Sequence, residues 1–258
     1  MEILIFFIAH WYLSLFTQTF FHHRYAAHGQ FEMSKGWEKF WYILSLVFQG
    51  SSYLSPYIYG MLHRMHHAYA DTEKDPHSPK YSKNLFDMMW KTKLIYSDLL
   101  SGRKVPDEQF RGNLPYWESM EKFADHKAVR TFWIVAYIAF YAVFAEYWWM
   151  WLLLPIHFVM GPFHGAIINW FAHKLGYVRY KLKDTSKNLL PVDFLMLGES
   201  YHNNHHSHPN SANFGKSNYE LDPVYFFIVL FDKVNMIKLK EQPDPVKVKS
   251  NASTTASS

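Results

Sequence analysis

"MLHRMHHAYADTEKDPHSPK", residues 61–80, places four histidines within fifteen residues, directly after a stretch rich in aromatic and aliphatic side chains. His63, His66 and His67 stand at i, i+3 and i+4, so a helix carries all three on one face. Imidazole is the commonest protein metal ligand, and three on one face raise the question of whether the rest of the chain completes a metal site. Three more strings supply the material: "HRYAAH" (His23, His28), "NWFAH" (Asn169, His173) and "HNNHH" (His202, His205, His206). Nine imidazoles exceed the four ligands of one zinc and suit two adjacent first-row metals, although ligand type alone does not name the metal. His23 and His28 are five apart, off a shared face on a regular helix, so they straddle a helix end or bind different metals. Asn169 lies one turn before His173 and, as a weak ligand, is expected to act through a metal-bound water.

The surroundings of these strings point to a membrane. Aromatic residues make up 19% of the 258 residues, and all 26 Lys and Arg fall in two blocks, 24–130 and 174–249. With no cysteine, disulfide frameworks, thiolate zinc sites and cysteine-ligated iron–sulfur clusters are excluded. Residues 3–21 are apolar enough for one crossing, and 131–173 for two (131–150 and 152–172), at about 20 residues each. Residues 3–21 read as a span rather than a secretory leader, since no basic segment leads them. Only 34 residues separate His28 from His63, fewer than the roughly 40 plus a turn that two crossings need. For both clusters to serve one site, residues 37–62 must form a broken interfacial segment, with their break at Gln49–Ser52 and Pro56. Three crossings then put every basic residue on one side, which the positive-inside rule makes cytoplasmic, with the N-terminus outside.

The fold expected is an all-α integral membrane protein of the inner or plasma membrane. It has about three transmembrane helices, interfacial helices at 37–62 and 223–237, and a cytoplasmic helical cap over 84–128, with a di-metal histidine site on the cytoplasmic face. Residues 1–240 form this single domain, and 241–258, rich in Pro, Ser and Thr, form a disordered tail. Gly161-Pro162 and Gly165 are expected to bend the third crossing. His10, His157 and His164 fall inside spans, where an ionisable group invites a functional reading, against neutral core histidines as the plainer one. His22, His77, His126 and His208 stand outside the ligand set.

The four histidine strings, with "FEMSKGWEKF" after the first, "DTEKDPHSP" after the second and "LGESYHNNHH" around the last, resemble the membrane-bound fatty acid desaturases, most closely the acyl-CoA (delta-9 type) branch. The resemblance runs from His22 to about Phe231. It implies two iron ions held by His23, His28, His63, His66, His67, His173, His202, His205 and His206, with Asn169 acting through water. It further implies O2 as co-substrate and insertion of a cis double bond into a saturated acyl chain carried on CoA, acyl carrier protein or a membrane lipid. Electrons would come from an external ferredoxin, cytochrome b5 or flavoprotein; surrounding membrane lipids, and no nucleic acid, complete the expected partners. Met61-Leu62 stand where the animal acyl-CoA members carry an Arg-Asp pair, which leaves the acyl carrier open. Asp71, Asp75 and Glu199 are positioned to accept hydrogen bonds from ligand imidazoles, and Arg64 to meet an acyl headgroup. A hydroxylase or ketolase on the same scaffold is the alternative reading, and a histidine-rich metal transporter the third.

Overall fold

In the computed structural model, which describes residues 1–241, the first apolar run becomes α1 (Glu2–Thr17) and continues into a π-helix (Gln18–Ala27). No glycine or proline interrupts this stretch before Gly29, where φ turns to +58° and the helix stops. The combined helix of 26 residues is about 39 Å long at 1.5 Å per residue, longer than the roughly 30 Å hydrocarbon layer.

Ser34 caps α2 (Lys35–Gln49) by accepting from the Trp37 N–H, and Trp41 packs on Phe20 with ring centres 4.5 Å apart. The chain then breaks. Gly50 sits at φ +54°, with the Tyr137 hydroxyl where a β-carbon would go. After a 3-10 turn (Gly50–Ser52), Ser55 and Pro56 start α3 (Pro56–Tyr69), with Ser55 as cap and Pro56 at the first turn. α4 (Leu85–Leu100), α5 (Glu108–Arg111) and α6 (Glu118–Asp125) follow, then α7 (Lys127–Phe144).

The third crossing, expected over 152–172 with a bend at Gly161-Pro162 and Gly165, is a broken pair. A 3-10 turn (Trp148–Leu153) leads into α8 (Leu154–Phe158), and α9 (Met160–Phe171) departs from it at 80°. Pro162 has no N–H for the Phe158 carbonyl four residues earlier and its ring crowds it. Ser51 Oγ donates to that carbonyl at 3.5 Å, and the Gly161 N–H donates to Ser52 Oγ at 3.1 Å. The polar residues at the α2–α3 break thus satisfy the backbone groups freed at the α8–α9 break, as buried polar backbone requires.

α10 (His202–Ser207) and α11 (Pro223–Lys233) complete the helices of the described residues. The chain is mostly helical rather than all-α: β1 (Phe31–Met33) pairs antiparallel with β2 (Ile237–Leu239), Phe31 opposite Leu239 and Met33 opposite Ile237. The helix expected to reach 237 ends early because Asn235 takes φ +57° and the Met236 N–H closes on the Phe231 carbonyl at 2.9 Å, a left-handed C-terminal cap. The expected tail lies beyond the described residues except for Glu241. Phe20, Phe21, Phe31, Trp41, Tyr42 and Ile228 form one core under this sheet. Ile5, Ile8 and Leu13 on α1, with Phe132, Val135 and Val143 on α7, point outward. Among the described residues, two helices are long and apolar enough to cross a membrane, three counting the bent pair.

Candidate metal centre

The nine box histidines fall into two groups. In the first, one ring nitrogen from each of His23, His28, His63, His67 and His205 lies within 4.8 Å of all the others; the second does the same with His66, His173, His202 and His206. The π-helix explains the first box. Its hydrogen bonds skip five residues, as in His28 N–H to His23 carbonyl at 3.1 Å, so a five-residue spacing that diverges on an α-helix converges here. His23 and His28 therefore share one group rather than serving different metals. α3 is held against the π-helix by Gly60, whose missing side chain admits Leu114 and the Ala26 backbone.

Nitrogen separations within the groups are 2.8 Å (His28–His63), 2.9 Å (His63–His67 and His67–His205), 3.0 Å (His23–His205) and 3.1 Å (His173–His202), all between Nε2 atoms. A metal–imidazole bond of about 2.1 Å gives adjacent ligands roughly 3.0 Å apart at right angles, so these separations suit a shared cation. The outer nitrogens fix the tautomers. His23 Nδ1–H donates to Glu199 at 2.8 Å, His66 Nδ1–H to Asp75 at 3.0 Å and His206 Nδ1–H to Asp184 at 3.1 Å. His173 Nδ1 lies 3.2 Å from Thr185 Oγ1 and 3.5 Å from Asp71. Each of these rings then turns a bare Nε2 inward, the form that binds metal. His66 Nε2 and His206 Nε2 are buried without a protein partner.

Burial strips water from the imidazolium form, and neighbouring imidazoles repel it, so His63, His66, His67, His202 and His205 are pushed well below the usual histidine range. They are neutral at pH 7, ready to donate lone pairs. Among the carboxylates, burial works to raise Asp71, but the hydrogen bonds from His173 and Thr185 outweigh it and hold it at about 2. Burial opposes the Glu199 charge too, and His23 and Arg24 overcome it, lowering its pKa. Asp75 is raised by burial, which outweighs the hydrogen bonds and charge interactions that lower it.

Sequence reasoning missed several residues that seat the site. Arg24 is fully buried, donating to the Ala212 carbonyl at 3.1 Å and Asp222 at 2.7 Å, with its guanidinium 3.8 Å above Phe214; it also reaches Thr19. Asp184 and Thr185 carried no sequence signal, being single polar residues in a basic loop. The asparagines inside "HNNHH" are scaffold. Asn203 Oδ1 accepts from the Arg179 and Tyr180 N–H groups, and Asn204 exchanges two hydrogen bonds with Asn188. Asn169 lies beside Gly165, one turn before His173.

Other expectations move. Arg64, read as an acyl-headgroup contact, commits its guanidinium to backbone carbonyls instead, Ala27 at 2.8 Å and Ala26 at 3.4 Å, with Gly112 as a third. It ties α3 to the π-helix. His22 lies outside both groups, its ring facing the Leu54 carbonyl at 2.8 Å and the Thr17 carbonyl at 3.2 Å. His77 packs on His66 with ring centres 4.4 Å apart, in a third set of ligand atoms with His66 and Asp75. Asp75 there already accepts from His66 and from the His77 N–H.

Residues 2–225 match the model of the fatty acid desaturase family. The chain is 26% identical over 243 residues to delta-9 desaturase-like 5 protein of Arabidopsis thaliana, covering 94% of this chain and 78% of that protein. It is 27% identical to delta-9 acyl-lipid desaturase 2 of the same plant, covering 83% and 67%. To icosanoyl-CoA 5-desaturase of Limnanthes douglasii it is 27% identical, covering 89% and 63%. The paired histidine groups, the membrane-length helices and these matches agree: the chain belongs to the fatty acid desaturase family, delta-9 branch, and is a membrane-embedded oxidoreductase with a metal cofactor.

Proposed function

We propose that this chain is an O2-dependent di-iron desaturase that inserts a cis double bond into a saturated fatty acyl chain presented as a thioester or a membrane lipid. The observation that carries the reading is the sorting of nine inward-facing imidazoles into two adjacent groups. His23, His28, His63, His67 and His205 would hold one iron; His66, His173, His202 and His206 would hold the other, with Asn169 positioning a water. Imidazole sites accept several first-row metals, but zinc has no redox chemistry, and an unactivated methylene yields its hydrogens only to a strong oxidant, which the bound iron pair supplies with O2 and two electrons.

The chain's own residues have narrower tasks. Glu199, Asp75, Asp71 and Asp184 hold the ligand rings in one tautomer and raise their basicity. The tight packing of Phe214 against His23 and His205 keeps bulk water from one side of the first group. Relatives whose names specify acyl-lipid and icosanoyl-CoA substrates support a fatty acyl substrate and leave both carriers in play. Electrons arrive from an external ferredoxin, cytochrome b5 or flavoprotein. The basic blocks flanking the apolar runs support a cytoplasmic active site with the N-terminus outside, residues 37–62 interfacial and 84–128 as the cap.

The test is total fatty-acid mass spectrometry of a bacterium that makes no oxygen-dependent unsaturated fats, expressing the chain with a ferredoxin system. A new monoene with wild type and none with His205→Ala is the expected result, and the double-bond position gives the regiochemistry. A hydroxy acid in place of the monoene would transfer the case to the hydroxylase reading.

A further inference from the structure

Besides His22, three histidines within the candidate membrane spans take no part in the metal groups: His10, His157 and His164. Tyr141 O–H on α7 donates to His157 Nε2 on α8 at 2.9 Å. His157 Nδ1–H is then left to donate to His10 Nδ1 on α1, 2.6 Å away, so the three groups form a directional chain. Above His10 come Ser14 on α1, at i+4, and Gln18 at the start of the π-helix, at i+8. Ser14 Oγ and Gln18 Oε1 are buried without a protein partner. His164 on α9 stands edge-on to Trp11 at 4.6 Å, 1% exposed, with both ring nitrogens unpartnered.

This polar line leads to the metal-ligand residues. A β-carbon on Gly165 would lie 3.8 Å from Gln18 Nε2 and 3.9 Å from Asn169 Nδ2, so the two amides flank one glycine. Gln18 is also one π-turn before His23. A saturated acyl tail offers nothing to a serine hydroxyl, an amide oxygen and two imidazole nitrogens. In hydrocarbon such groups are costly unless satisfied. Successive α1 positions four apart are separated by about 5–6 Å, too far for direct bonding between short side chains and suited to one bridging water, which needs two to four polar partners.

We propose that α1 carries a water-bearing proton conduit, from Tyr141 and the His157–His10 pair past Ser14, His164 and Gln18 to Asn169 beside the metal groups. Its role rests on the proposed function. In that reaction an acyl –CH2–CH2– unit and O2, with two electrons from the external donor and two protons, give –CH=CH– and two waters. O2 is reduced by four electrons, two from the two broken C–H bonds and two from the donor. The conduit delivers the two protons: each hop forms one N–H or O–H bond and breaks the next.

Two measurements decide it independently. Because the chain has no cysteine, Ser14→Cys gives a unique S–H infrared band. Exchange to S–D within minutes of transfer of the lipid-reconstituted protein to D2O is expected, with Leu15→Cys, packed against Ile168 and Met196, as the slow control. A Ser14→Cys band as slow as the control means a dry interface and overturns the proposal, whatever the enzyme's activity. In the metal-loaded, donor-coupled enzyme, His157→Phe and His164→Leu are expected to lower turnover roughly tenfold or more, to raise the solvent isotope effect and to leave metal content unchanged. Unchanged turnover and isotope effect would leave the water in place but remove its proton role. A wild-type protein that forms no double bond would sink the proposed function alone, since the exchange measurement still stands.

Discussion

Glu199 and Asp75 each serve one histidine of one metal group, so changing them should separate the two metals of the proposed centre. In Glu199→Gln the His23 Nδ1–H, now 2.8 Å from a carboxylate oxygen, loses a charged acceptor for a neutral one of the same shape. Losing such an outer partner typically lowers metal affinity 10- to 100-fold, or about 1.4–2.7 kcal/mol. The second group shares none of these contacts and should keep its metal. Asp75→Asn, which weakens the 3.0 Å bond to His66 Nδ1, should do the reverse. Glu199→Gln carries a side effect, since Arg24 also approaches Glu199, at 3.5 Å; the guanidinium retains Asp222 and the Ala212 carbonyl, so the fold should lose only about 1 kcal/mol. The assay is elemental analysis of the purified full chain equilibrated with a graded chelator, alongside thermal unfolding of the metal-free form. One equivalent should leave each variant at 10- to 100-fold weaker chelation, and the other should leave as in wild type. Both equivalents shifting together, or neither, would refute the division into two groups.

Two more outcomes follow from single side chains outside the candidate membrane spans. Burial raises the Glu121 carboxyl to about 7, against 4.5 for an ordinary one. The folded state therefore favours the protonated form, and stability is full below about 4.5 and falls by up to roughly 3 kcal/mol as pH rises to 7. Glu121→Gln should match wild type in melting temperature at pH 5 and exceed it at pH 8; parallel profiles would show that the carboxyl is not held neutral. Arg64→Ala should lower stability by about 2 kcal/mol, through the backbone carbonyls it abandons, while the KM for the acyl substrate stays unchanged; a raised KM with unchanged stability would return Arg64 to the headgroup.

The histidine strings were legible because few other arrangements need so many imidazoles at these spacings, and the spans because uncharged apolar runs of that length leave little choice. The break in the third crossing was also written in the sequence, as Gly161-Pro162, but its sharpness was not. That depended on Ser51 and Ser52, more than a hundred residues away, accepting and donating where the helix could not. The orienting shell divided along the same line. Glu199 and Asp75 sit beside the boxes and could be guessed, whereas Asp184, Thr185 and Arg24 reach the site only through the folded path of the loops. The two-stranded sheet was hidden because its strands are three residues each and two hundred residues apart; strands that short leave no alternation to read.

The deeper misreading concerned the face. The i, i+3, i+4 spacing of His63, His66 and His67 predicts one ligand face, yet the structure sends His63 and His67 to one group and His66 to the other. At 100° per residue, i+4 returns to within about 40° of its start while i+3 falls about 60° to the other side, leaving His66 and His67 roughly 100° apart. The final box repeats the pattern in the opposite sense: His202 and His206, four apart, go to the second group and His205 to the first. An H-x2-H-H string on a helix is thus built to divide between two centres, a pair to one and the middle residue to the other. Two such helices facing each other with reversed assignment, α3 and α10, account for six of the nine histidines. The first box and His173 then fill one side each, His23 and His28 by way of the π-helix. A single deletion between His63 and His66 would rotate the pair off one centre and the middle ring off the other, so neither metal group survives a change of spacing that a one-metal site could absorb.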